Sequence, residues 1–79
     1  MRIGKIYTER PKIAVRANVP LTAQANDAMS TSAVREGISE IDVINRALVV
    51  YNEVMSRQAD GKEIVLRAAD GSTEKLVIQ

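Results

Sequence analysis

Hydrophobic and polar positions alternate first with a period of two and then with the period of a helix. From Lys12 to Leu21 the sequence KIAVRANVPL sets Ile13, Val15, Ala17, Val19 and Leu21 on one side. Lys12, Ala14, Arg16, Asn18 and Pro20 fall on the other, the pattern of a strand with one buried face. Pro20 has no amide donor, so this strand is expected to end there or to lie at an edge. Thr22 stands where a helix cap would, and the alanine-rich run from Ala23 to Glu36 predicts a helix. Its apolar face is thin: Ala25, Met29 and Ala33, with Ala28 and Val34 beside them. Ser30, Thr31 and Ser32 compete for backbone hydrogen bonds within it. Gly37 is expected to close the helix in the left-handed conformation.

The next start signal is stronger. Ser39 is followed three residues later by Asp42, close to a capping box, and Ile38 and Val43 have the spacing of a hydrophobic staple. From Glu40 to about Arg57 the chain is strongly periodic. Ile41, Ile44, Leu48, Tyr51 and Met55 form one stripe, filled by Ala47, and Val43, Val50 and Val54 form a second. Two apolar stripes call for cover on two sides. A chain this short has too few elements to supply both, which predicts a dimer.

After a break at Ala59, Asp60 and Gly61, two extended runs, Ile64 to Arg67 and Lys75 to Ile78, flank Asp70-Gly71. That dipeptide is a strong hairpin signal. A two-residue turn sets Val65 opposite Leu76 and Arg67 opposite Glu74. A pairing shifted by one sets Ile64 near Ile78 and Leu66 near Leu76, and both registers stay open.

The 79 residues make one small domain at most, marginal as a solitary monomer. Cysteine and histidine are both absent, which removes disulfides, thiol chemistry and the usual zinc sites. With 46% hydrophobic residues the chain is too apolar for a disordered tail, and no run is long enough to span a bilayer. A cytoplasmic protein is expected. The net charge of +1 conceals an asymmetry. Residues 1–22 carry Arg2, Lys5, Arg10, Lys12 and Arg16 against Glu9, while six basic and nine acidic groups follow. A basic leading segment on a mildly acidic body is a candidate anion-facing surface.

The order strand, helix, glycine turn, helix resembles the ribbon-helix-helix family of DNA-binding regulators, the Arc and MetJ type. The likeness covers roughly Lys12 to Met55 and rests on the basic strand ending in Leu21-Thr22, the step from Thr22 to Gly37, and GISEIDVINRALVVY. It implies an α+β fold, an intertwined ribbon-helix-helix homodimer with a C-terminal β-hairpin extension. The parts would be a basic arm over residues 1–11, a dimerisation and DNA-binding domain over 12–57 and a hairpin over 62–79. Two N-terminal strands would pair into a ribbon that fits the DNA major groove. The resemblance puts Arg16, Asn18 and Pro20 at base-reading positions. Lys12, Ser39 and Glu40 would meet the DNA backbone, and Arg2, Lys5 and Arg10 would serve as the gripping arm. Pro20 departs from the family pattern, since it offers only apolar contact or shape. Val15, Ala17, Val19, Leu21, Ile41, Ile44, Leu48 and Tyr51 would form the dimer core.

The function so implied is a sequence-specific, double-stranded DNA-binding transcriptional repressor from a bacterium or phage, acting as a homodimer or as paired dimers. The alternative is an antitoxin-like or other protein-interaction module that keeps the fold and binds a protein partner through the hairpin. Enzyme chemistry has little support, because no histidine, cysteine or glycine-rich phosphate loop is present. No cofactor, no metal and no membrane partner are expected.

Overall fold

The computed structural model describes residues 12–78. Along the chain come helix α1 (Ala23–Glu36), helix α2 (Glu40–Ala59), strand β1 (Ile64–Arg67) and strand β2 (Thr73–Leu76). The chain divides into two compact units, Met1–Val49 and Val50–Gln79, and the division falls inside α2.

In the first unit, α1 begins where its cap predicts. The Thr22 hydroxyl accepts a 3.1 Å hydrogen bond from the Ala25 amide, one of the donors that a first turn leaves unsatisfied. At the other end Gly37 has φ 66°, and the Ile38 amide reaches back 3.1 Å to the Ala33 carbonyl. A residue with a Cβ is strained in this left-handed conformation, so glycine is the natural terminator. Ala33 is the buried side chain here, and Met29, Ser30 and Ser32 are half-buried around it. Val34, expected beside the apolar face, is exposed instead.

Helix α2 starts at Ser39, whose hydroxyl accepts from the Asp42 amide at 3.1 Å. Ile38 and Val43, the staple pair, are both half-buried. The helix runs 20 residues, about 30 Å, two residues further than its periodicity suggests. Gly61 closes it: the Lys62 amide donates to the Arg57 carbonyl and the Gly61 amide to Gln58, both at 3.0 Å. This is the bond pair of a Schellman end.

In the second unit β1 and β2 pair antiparallel, with Ile64 opposite Leu76, Val65 opposite Lys75, Leu66 opposite Glu74 and Arg67 opposite Thr73. Both registers considered from the sequence are displaced from this one, and β2 begins two residues earlier than expected. The cause lies in the turn. The Gly71 amide donates to the Ala68 carbonyl at 3.0 Å, and the Ala68 amide donates to the Ser72 carbonyl at 2.8 Å. The loop is therefore three residues, Ala69 to Gly71, with Gly71 at φ 92° in its last position. Asp70 adds an Asx turn, its Oδ1 accepting from the Ser72 amide at 2.9 Å and from the Ser72 hydroxyl at 2.6 Å.

The element order corrects the fold class. A ribbon-helix-helix protein begins with a strand and continues with two helices, whereas this chain is helix–helix–strand–strand. Residues 12–22 form no strand, although their alternation predicts one. Alternation marks which side chains share a face, but a strand also needs a hydrogen-bonded neighbour, and among the described residues none lies beside that segment. The ribbon and the intertwined homodimer are accordingly not features of this structure.

Candidate interaction surface

Among the described residues only Ala33 is buried. The consequence is clearest on α2, where the periodic apolar stripe has no cover. Ile41 is 63% exposed, Ile44 37%, Leu48 64% and Tyr51 55%, and Met55 is half-buried at the end of the row. Steps of three, four, three and four residues separate these five positions, the repeat that keeps a seam on one side of a helix. Asn45, Ala47, Asn52 and Val54 flank the seam beyond its first turn, and Glu40 is the one charged residue that borders it, at its start. The charged Glu53 and Arg57 pair with each other at 2.9 Å along the helix. Asn45 donates its side-chain amide to the Ile41 carbonyl at 2.8 Å, which keeps that polar group occupied within its own helix. Val50, on the second stripe, is exposed as well, while Val43 and Val54 are half-buried.

The predicted site residues are distributed as follows. Lys12, Arg16, Asn18 and Pro20 are exposed in the segment without secondary structure, and Val15, Ala17, Val19 and Leu21 are exposed in the same segment. Their assignment to opposite faces of a ribbon has no strand to rest on. Arg2, Lys5 and Arg10 lie outside the described residues. Ser39 and Glu40 are exposed at the start of α2. The Ser39 hydroxyl accepts from the Asp42 amide, and the Glu40 carboxylate accepts a 2.9 Å hydrogen bond from the Ser30 hydroxyl. A helix start occupied by its own cap and bordered by a carboxylate is poorly prepared for a phosphate.

The hairpin brings together residues that sequence reasoning had not aligned. Directly opposed residues share a face, so Ile64, Leu66, Leu76 and Glu74 lie on one side and Val65, Arg67, Lys75 and Thr73 on the other. Glu63 reaches Lys75 across the ladder at 3.2 Å. A shallow open depression near the turn is lined by Leu66, Arg67, Ala68, Ser72, Thr73 and Glu74. The Ser72 hydroxyl, and after it the Ser72 amide, hold the Asp70 carboxyl below its ordinary pKa. Its Oδ1 accepts both of these bonds and is thus committed to the turn.

Among the described residues no group of three or more acidic, histidine or cysteine side chains converges to hold a metal ion, and no helix is long and apolar enough to cross a membrane. No protein-family description, curated protein or solved structure matches the chain. The ribbon-helix-helix resemblance therefore gains nothing from comparison and is overturned by the order of the elements. With it falls the major-groove repressor, because that mechanism requires a paired N-terminal strand. The antitoxin-like alternative was tied to the same fold and falls with it.

Proposed function

We propose that this chain is a self-associating interaction module whose α2 stripe docks on a second copy of itself. The observation that carries this reading is the uncovered row Ile41, Ile44, Leu48 and Tyr51 on a well-capped helix. Fully burying one such side chain is worth about 1.5–3 kcal/mol, so an uncovered row of four is a substantial unused driving force. A second copy is the occupant favoured by the spacing, because a three-four repeat on one helix is complementary to the same repeat on another. The uncharged flanks beyond Glu40 favour it further, since identical charged flanks would face each other in a self-pairing.

The test is sedimentation equilibrium of the full chain and of Leu48→Asp across a concentration series. Concentration-dependent association of the parent chain that is weakened in the variant supports the proposal. A parent chain that stays monomeric at high micromolar concentration would end it. Val34→Asp is the matched control, since Val34 is fully solvated on α1 and should tolerate the charge without changing association.

A further inference from the structure

Among the described residues the hairpin has two open edges, and they are chemically unlike. β2 carries Glu74 and Lys75 at its centre, so self-pairing about either would set like charges directly opposite each other. β1 is Ile64-Val65-Leu66-Arg67, with its single charge at the end. Natural sheet edges are usually blunted by charge, and only β2 is blunted here.

The hydrogen-bond pattern fixes which groups the β1 edge presents. The Ala68 amide bonds to the Ser72 carbonyl, and Ala68 and Ser72 continue the register of the ladder. Bonded pairs alternate along an antiparallel ladder, so Leu66 and Ile64 also point their backbone groups at β2. The amides and carbonyls of Val65 and Arg67, and those of Glu63 before them, consequently face outward. An isolated two-stranded hairpin is marginal in water, and more strands are what stabilise it.

We infer that β1 pairs antiparallel with β1 of a second copy, centred on Val65, to make a four-stranded sheet in the order β2–β1–β1–β2. Outward-facing residues must meet outward-facing residues, which restricts the pairing to a few registers about the two-fold axis. Centring on Val65 sets Val65 opposite its own copy, Ile64 opposite the copy's Leu66, and Glu63 opposite the copy's Arg67. Shifting the centre to Ile64 or Leu66 sets Arg67 opposite Gly61 or Val65 and leaves Glu63 without a basic partner. The Val65 register therefore supplies two opposite-charge pairs; Arg67 makes no ion pair among the described residues, and Glu63 would share its carboxylate between Lys75 and the copy's Arg67. It also joins Ile64, Leu66 and Leu76 of the two copies on one face, with Glu74 on its outer strands. The inference shares with the proposed function only the need for a second copy, and it uses a different surface.

Charge reversal tests it in the full chain. Glu63→Arg and Arg67→Glu each set like charges opposite at both symmetry-related positions, and each should weaken association about tenfold. The double variant restores the complementarity with its sign inverted and should return to within about twofold of the parent. Lys75→Gln removes the pair within the hairpin and should leave association unchanged, which separates that contact from the one across the axis. Amide exchange gives a second readout: Val65 protection should rise with concentration, and by more than that of Leu66, which is already bonded within the hairpin. Single reversals without effect, a double variant that fails to recover, or Val65 exchange independent of concentration would each overturn the pairing. If Leu48→Asp dissociates the chain while the charge variants do not, the α2 proposal stands and this one fails. The converse result leaves the strand pairing standing alone.

Discussion

The Ser30 hydroxyl donates a 2.9 Å hydrogen bond to the carboxylate of Glu40, joining the third turn of α1 to the first residue of α2. Nine residues, the glycine turn among them, separate the two in sequence. The bond gives Ser30, a weak helix former, a role within its helix, and it uses a carboxylate that also complements the positive start of α2.

The contact is exposed, so its contribution is small. Ser30→Ala is expected to cost about 0.5 kcal/mol, and Glu40→Gln a similar amount. A double-mutant cycle read by thermal unfolding should show coupling between the two positions, and strictly additive losses would mean that the bond contributes nothing.

The two helix caps should be more costly to remove. Thr22→Ala and Ser39→Ala each strip an acceptor from a first-turn amide, at about 1 kcal/mol. Ser39→Asp keeps an acceptor at the start of α2 and should stay close to the parent. Helical ellipticity against temperature distinguishes these outcomes.

Gly37→Ala isolates a backbone effect. A Cβ built at this position meets nothing within 4 Å, so steric crowding is not the issue. The left-handed conformation alone should cost about 1–2 kcal/mol. Gly37→Asn should recover part of the loss, because asparagine enters this region more easily than alanine.

The turn of the hairpin should respond to acid. Hydrogen bonds from Ser72 stabilise the Asp70 carboxylate and lower its pKa in the folded hairpin. This contribution is present above the ordinary carboxylate pKa and is lost as pH falls through the lowered folded value. In Ser72→Ala the Asp70 titration midpoint, followed by the NMR shift of its carboxyl carbon, should move upward. An unmoved midpoint would remove the Ser72 hydroxyl as the leading cause.

The helices were legible because their signals are local. Thr22, Gly37 and Ser39 act within three to five residues of where they stand, and each does in the structure what its type implies. β1 was legible for a similar reason, as a short apolar run bounded by turn residues. The hairpin register was not: Asp70-Gly71 can fill a two-residue turn or end a three-residue one, and the choice depends on the Ala68 and Ser72 hydrogen bonds. The segment 12–21 misled because its period of two reports side-chain placement and carries no information about a hydrogen-bonded neighbour. The α2 stripe was read correctly as apolar, yet Tyr51, expected in the core, is exposed in the chain. Periodicity reveals a face that wants cover without saying what supplies it.

Tyr51 has a further use. Tryptophan and phenylalanine are absent from the sequence, and the only other tyrosine is Tyr7. A Tyr7→Phe substitution would leave one fluorophore, seated toward the C-terminal end of the exposed row on α2. Its emission and anisotropy would then report, without any label, whether that row is wet or covered.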